Sequence, residues 1–367
     1  MKKVLFLIHD LHQGGAEKVL VNLVNNMDQT KFDITVMALF GGGVNEQFLA
    51  PHVRFKTVFP KALPGNSHVM KLFSPQMLHK WFIKEEYDIE VAYLEGPAAR
   101  IVSGCESANT KRISWIHCTM HTPEEAALGF RNPEEARNYY NKMDLMAFVS
   151  RQVQEAFQKA CPYAGQSVVL YNTNESDKII SLATEETKMS DENFNWCGVG
   201  KLAPVKGFDR MIRIQKRLLG DGYKVALYIL GEGRQRAELE KLVAECGVSD
   251  SVTFLGYQTN PYKYVARSDL FVCASFAEGF STAATEALIV GTPVCTVEVS
   301  GMKEMLGEDN EWGIVTENDA EALYQGIKRL LDAPELLAHY KEKAAQRGKT
   351  FSTENTVKAV EDMLLSL

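Results

Sequence analysis

At 367 residues the chain exceeds one ordinary domain and falls short of three, so two domains of about 150–180 residues are expected. Apolar residues make up 46% and charged residues 24%, an ordinary globular mix, and a net charge of −7 argues against a general nucleic-acid binder. Residues 1–175 are charge-balanced, and the whole acidic excess lies beyond them.

The amino terminus, MKKVLFLIHDLHQGGAEKV, has two lysines and then a short apolar run that ends in His9-Asp10. Without a small-residue cleavage site that run is expected to be a buried first strand and not a signal peptide. No stretch approaches the roughly 20 continuous apolar residues of a membrane span, so a cytoplasmic or peripheral protein is expected. Seven cysteines (105, 118, 161, 197, 246, 273, 295) are scattered singly. With no CxxC pair, their spacing supports neither a disulfide framework nor a structural zinc site.

In chain order, Lys3–His9 reads as a strand, Ala16–Asn26 has helical spacing at Val19, Leu20, Leu23 and Val24, and Asp33–Phe40 is a second strand. Ile89–Leu94, Arg112–His117, Leu145–Val149 and Gln166–Tyr171 are short apolar runs bounded by turn residues, the pattern of buried parallel strands. Residues 172–193 are polar and aperiodic and form the linker candidate. The pattern then restarts, with strands at Asn195–Val199, Lys224–Leu230, Ser251–Leu255, Leu270–Cys273 and Pro293–Thr296 and helical runs at Asp209–Leu219 and Gly233–Cys246. Two successive doubly wound α/β sheets follow, with ligands expected outside the carboxyl ends of the strands, in a cleft between the sheets.

Four strand-to-helix loops carry candidate chemistry. In AEGFSTAATEALIVGTPV (277–294), Glu278 sits in a glycine-containing loop and Glu286 about two turns inside a helix begun near Ser281-Thr282. The free N–H groups of such a helix start suit a phosphate or sugar oxygen, and the deeper carboxylate can accept both hydroxyls of a diol such as ribose. In GVGKLAPVKGFDRMI (198–212), Lys201 and Lys206 precede a helix opened by Gly207 and could neutralise a diphosphate. Solvated loop lysines are the competing reading, and the absence of G-x4-G-K-[ST] excludes a Walker A loop. In the first loop, His9-Asp10-Leu11-His12-Gln13-Gly14-Gly15-Ala16-Glu17, the two glycines at a helix start permit close backbone approach. The absence of G-x-G-x-x-G there, and of a carboxylate ending the second strand, argues against NAD. His117 ends the run Trp115-Ile116-His117, and Glu95 ends another strand as a candidate acceptor contact, with His12 in the same role.

The segment E-G-F-S-x4-E followed by A-x3-G-T-P-V resembles the E-x7-E segment of glycosyltransferase family 4, retaining nucleotide-sugar enzymes of GT-B fold, and the likeness spans nearly the whole chain. The resemblance implies a GT-B architecture: an acceptor domain over 1–175, a linker over 176–192, a donor domain over 193–349, and a final helix (350–367) packing back on the first domain. It implies that Glu278 contacts the donor sugar hydroxyls, that Glu286 holds the nucleotide ribose, and that backbone amides of Phe280, Ser281 and Thr282 approach the sugar diphosphate. The family's G-R-L-x3-K-G has Lys201 here in place of arginine, which keeps the charge without the bidentate fork. Gly14 and Gly15 are implied near the diphosphate and acceptor, and His117 beside the donor sugar. Leu230-Gly231-Glu232-Gly233-Arg234 has the form of the family's G-x-G turn, while Gly256 and Tyr257 would lie beside the base. Ser300-Gly301-Met302-Lys303-Glu304 resembles the sugar-pocket segment.

The expected reaction moves a hexose-type sugar, from a UDP-sugar in preference to a GDP-sugar, to a hydroxyl of a glycan, glycolipid or lipid-linked acceptor in surface polysaccharide synthesis. Retention is implied by the family alone. No metal and no other cofactor is expected, since no D-x-D follows an apolar strand and lysines with helix dipoles can take the metal's place. Residues 68–86 mix Lys71, Lys80 and Lys84 with Phe73, Trp81 and Phe82, a pattern that suits either a peripheral membrane surface or a helix with an apolar core side. A sugar-nucleotide epimerase on the same fold and a non-catalytic sugar-binding partner of another transferase are the alternatives.

Overall fold

The structure is a computed structural model that describes residues 1–12, 14–61, 69–190 and 192–367. Gln13 of the glycine turn, His68 of the mixed basic and aromatic segment and Asp191 of the expected linker lie outside the described residues. Contacts divide the chain into two compact units, residues 1–174 with 353–367, and residues 175–352.

The first unit is built on a parallel seven-stranded sheet of β1 (Lys2–Ile8), β2 (Phe32–Phe40), β3 (Arg54–Phe59), β4 (Ile89–Tyr93), β5 (Lys111–Ile116), β6 (Leu145–Phe148) and β7 (Gln166–Val169). Its order is β3-β2-β1-β4-β5-β6-β7. Apart from Lys2 and Lys3 at the start of β1 and Glu90 in β4, the central strands β1 and β4 are apolar and buried, as a sheet covered by helices on both faces favours. The second unit repeats the plan with β8 (Phe194–Val199), β9 (Val225–Leu230), β10 (Val252–Gly256), β11 (Leu270–Cys273), β12 (Val294–Val297) and β13 (Ile314–Thr316) in the order β10-β9-β8-β11-β12-β13. All the strand pairs are parallel. Both units are therefore Rossmann-like doubly wound domains.

In each sheet the strand order reverses at one point, between β1 and β4 and between β8 and β11. Loops leaving neighbouring strands there diverge to opposite faces, which opens a crevice at the carboxyl ends. The four loops singled out above leave β1, β5, β8 and β11, and Glu95 leaves β4.

Three features depart from the sequence expectations. β3 and β13 are not anticipated: β3 mixes Arg54, Lys56 and Thr57 with apolar residues as an exposed edge tolerates, and β13 has three residues, too few to show a period. The expected linker 176–192 contains a helix, Ser176–Ala183, which belongs with the second unit, with Ile179 buried and Asn260 Nδ2 donating to the Leu182 carbonyl at 2.9 Å. Two turns are too short to establish a period in a charged stretch. The second unit also runs to Ser352, and the last helix, Thr353–Ser366, belongs to the first. There Glu361 accepts from the Asp28 N–H at 2.6 Å, and Lys2 Nζ donates to the Leu364 carbonyl at 3.0 Å.

Candidate active site

The strand-to-helix loops of the second unit are held together by close backbone approach. Gly207 adopts φ 66° at the start of the helix Phe208–Gly220, and a Cβ there would lie 2.1 Å from the Ala274 carbonyl oxygen. Only glycine therefore seats the lysine loop against the exit of β11. Phe276 N–H then donates to the Val205 carbonyl at 2.8 Å and ties the two loops. Gly231, at φ 136°, approaches the Gly200 carbonyl in the same way, with 1.9 Å left for a Cβ.

This packing brings Lys206 and Glu278 together. Lys206 Nζ donates to Glu278 Oε1 at 2.6 Å, and Ser275 Oγ donates to the same oxygen at 2.7 Å. The lysine side chain is 29% exposed and the glutamate 11%, so the pair faces an opening while sheltered from bulk water. Three residues beyond Glu278, Ser281 caps the helix Thr282–Ile289, its Oγ accepting from Ala284 N–H. Glu286 lies inside that helix, buried, with Tyr262 OH donating to its Oε1 at 3.4 Å. Phe280 is buried against Phe351, with ring centroids 5.8 Å apart, and Gly301 at φ 79° leaves room for its ring. Lys201 is exposed at the end of β8. Gly256 takes φ 68° and its carbonyl accepts from Gly231 N–H at 2.8 Å, whereas Tyr257 is 67% exposed.

The first unit gathers a second set. His117 is buried, its backbone N–H donates to Glu95 Oε2 at 3.0 Å, and its ring packs on Tyr93 at 4.6 Å between centroids. Burial pushes its pKa down to about 4 against a weaker opposing pull from Glu95, so the imidazole is neutral at physiological pH. Its Nε2 is buried without a hydrogen-bond partner among the described residues, an expensive arrangement in a site with no function. Glu95 stands in a turn between Leu94 at φ 140° and Gly96 at φ 92°. Such strain in a non-glycine residue is retained where the surroundings impose it, often at functional loops. Gly14 precedes the helix Gly15–Asn26 in extended conformation. His12, half exposed, has Nδ1 3.0 Å from Asp10 Oδ1.

Sequence reasoning passed over Asp10, Ser275 and Tyr262. Asp10 joins His9 (2.7 Å) to His12, and although burial raises its pKa, the His12 N–H and the two imidazoles outweigh that and lower it. Ser275 and Tyr262 orient Glu278 and Glu286. Asp10 could have been found, since it lies between two histidines at a strand end; Ser275 and Tyr262 become partners only when the chain folds.

Comparison with known proteins identifies the family and the fold. Residues 13–173 match the family described as Glycosyltransferase Family 4, and residues 184–347 the one described as Glycosyl transferases group 1. A Campylobacter jejuni N-acetylgalactosamine-N,N'-diacetylbacillosaminyl-diphospho-undecaprenol 4-alpha-N-acetylgalactosaminyltransferase is 29% identical over 99% of both chains. The lipopolysaccharide core biosynthesis glycosyltransferase LpsD of Rhizobium meliloti is 24% identical over 98% of this chain and 96% of its own length. Among solved structures, Anabaena HepE in complex with UDP covers all of both chains with TM-score 0.79 at 20% identity. The sucrose-phosphate synthase of Thermosynechococcus elongatus superposes with TM-score 0.78 at 17% identity, over 100% of this chain and 99% of that one. Two family matches in succession, laid on two Rossmann-like sheets of GT-B kind, lead to one conclusion: the chain belongs to the family 4 glycosyltransferases and is an enzyme of that class.

Proposed function

We propose that the protein transfers a hexose-type sugar, with retention, from a UDP-sugar to a hydroxyl of a lipid-linked or other glycan acceptor in surface polysaccharide synthesis. The observation that carries the donor half is the Lys206–Glu278–Ser275 group beside the start of the helix that holds Glu286. Without donor, Lys206 and Glu278 neutralise each other. A nucleotide diphosphate sugar offers each a better partner, its phosphate oxygens to Lys206 and its sugar hydroxyls to Glu278, while Glu286 accepts from the ribose diol. Lys206, with Lys201 as an outer charge and the helix start behind Phe280, Ser281 and Thr282, then offsets the charge that builds on the departing diphosphate. The chemistry we assign to these groups uses no resident metal. UDP is favoured over GDP because the Anabaena neighbour was solved with UDP and with UDP-glucose.

For the acceptor we assign the first unit's Glu95 and His12, with the Gly14-Gly15 turn towards the diphosphate and acceptor and neutral His117 as a catalytic group beside the transferred sugar. The name of the Campylobacter relative includes a diphospho-undecaprenol-linked sugar, which supports a lipid-linked acceptor. Val69, Leu72, Met77 and Trp81 are exposed apolar side chains interleaved with Lys71, Lys80 and Lys84, the composition of a peripheral contact with an anionic membrane surface on the cytoplasmic side. No helix among the described residues is long and apolar enough to cross a membrane. Release of UDP or GDP from a panel of nucleotide sugars tests the donor half, and no turnover of any UDP-sugar, with or without lipid-linked acceptor, overturns it. Flotation with anionic vesicles tests the surface, and protein that stays at the bottom of the gradient removes it.

A further inference from the structure

The single cysteines have no spacing that suggests a metal, yet the fold of the first unit assembles a donor set that the sequence hides. His79 lies on the helix Pro75–Phe82, Glu90 is the second residue of β4, and Cys105 follows the helix Pro97–Val102 in a turn closed by its N–H to the Val102 carbonyl at 3.0 Å. One ligand atom from each, all within 4.8 Å of one another, makes a compact cluster. His79 Nε2 is 2.9 and 3.0 Å from the two Glu90 oxygens.

The surroundings hold these elements in place. A Cβ on Gly104 would lie 2.1 Å from the Pro75 carbonyl oxygen, so glycine is what lets the turn carrying Cys105 seat against the helix carrying His79. Ser74 caps that helix through the Met77 N–H, and buried Arg100 donates to the Met70 and Phe73 carbonyls just before it. Glu90 is 2% and Cys105 4% exposed, while the His79 side chain keeps 17%, which leaves an approach from solvent.

A carboxylate buried in the middle of a sheet is costly, and pairing with a single imidazolium seldom recovers that cost. A divalent ion satisfies all three groups together. Thiolate, imidazole and carboxylate are the zinc donor types, and three protein ligands with water in the fourth position form a familiar tetrahedral set. We propose that His79, Glu90 and Cys105 form a site for a divalent transition metal of the zinc class, which fastens the helix Pro75–Phe82 and the Cys105 turn to β4. Metal–ligand bonds of about 2.0–2.3 Å place tetrahedral ligand atoms roughly 3.3–3.8 Å apart, so the cluster closes by drawing the sulfur inward by about 1 Å or less. On binding, the imidazole and thiol protons leave and the ion's two charges replace them.

The test uses the full chain, stripped with a chelator and titrated with Co2+, then with Zn2+ in competition. The expected result is one Co2+ per chain with a thiolate-to-cobalt charge-transfer band in the near ultraviolet, displaced by Zn2+. Zn2+ is expected to raise the thermal midpoint. Cys105→Ser should lose the band and bind at least about tenfold more weakly, and it should not gain stability from Zn2+. A wild-type protein that shows no such band overturns the proposal without recourse to any variant. So does a folded Cys105→Ser chain that binds Co2+ as the wild type does. If Cys105→Ser does not fold, His79→Gln, altered at the more exposed ligand, carries the same comparison.

Discussion

Replacing Lys206 by alanine separates a catalytic lysine from a structural one. The 2.6 Å contact to Glu278 corresponds to a gross attraction of about 6 kcal/mol at an effective dielectric constant of 20. Both side chains keep some exposure, Ser275 goes on donating to the same oxygen, and desolvation offsets most of the attraction. The net loss of stability should be about 1 kcal/mol, a fall of roughly 2–4 °C in the thermal midpoint for a unit of this size. On the proposed role, the loss in catalysis should be larger, about 100- to 1000-fold in kcat, or about 2.7–4 kcal/mol. The assay is UDP release from the best UDP-sugar, with kcat and KM resolved, beside calorimetric UDP binding and thermal unfolding. Lys206→Arg keeps the charge and should restore part of kcat. A Lys206→Ala enzyme that melts a few degrees lower yet keeps its kcat refutes the assignment and makes the pair structural.

Three further outcomes follow from the geometry. Glu286→Gln should weaken UDP binding in calorimetry by about 10- to 100-fold, as removal of a charged acceptor of about 1.5–3 kcal/mol implies; unchanged affinity removes it from the ribose. Gly207→Ala meets both a left-handed backbone and the Ala274 carbonyl 2.1 Å away, so a loss of about 2 kcal/mol or more is expected in chemical denaturation, and a neutral result contradicts the packing described. The folded pKa of His117 lies below its ordinary value, so the unfolded chain binds the extra proton between about pH 6.5 and 4. Its contribution to stability is complete above pH 6.5 and is lost as the pH falls towards 4, by at most about 3 kcal/mol. An NMR titration of its ring protons with a midpoint near an ordinary imidazole value refutes this.

Much of the donor loop can be read directly because its signals are local. Gly279, the Ser281 cap and Glu286 lie within nine residues of chain, and their spacing along one helix is a property of the backbone. The paired runs of buried strands are equally plain, since a strand covered on both faces is apolar over most of its length. The edge strands β3 and β13 are not, because β3 carries charges as a loop does and β13 is only three residues long. Ser275 and Tyr262 illustrate a different limit, being ordinary residues until Glu278 and Glu286 are brought to them.

The sequence alone determines the doubly wound class of each half, the strand-to-helix loops and the residue types that suit a nucleotide diphosphate. These depend on hydrophobic period and on glycine, both of which act within a few residues. Only tertiary structure decides that Lys206 and Glu278 hydrogen-bond across 72 positions, that His117 is buried and neutral, and that His79, Glu90 and Cys105 converge. All three rest on strand order, and the first and last also on the close approach that Gly207 and Gly104 permit. Pairing, desolvation and coordination all act through space, and the distance between two residues in space is set by the fold and not by their separation along the chain.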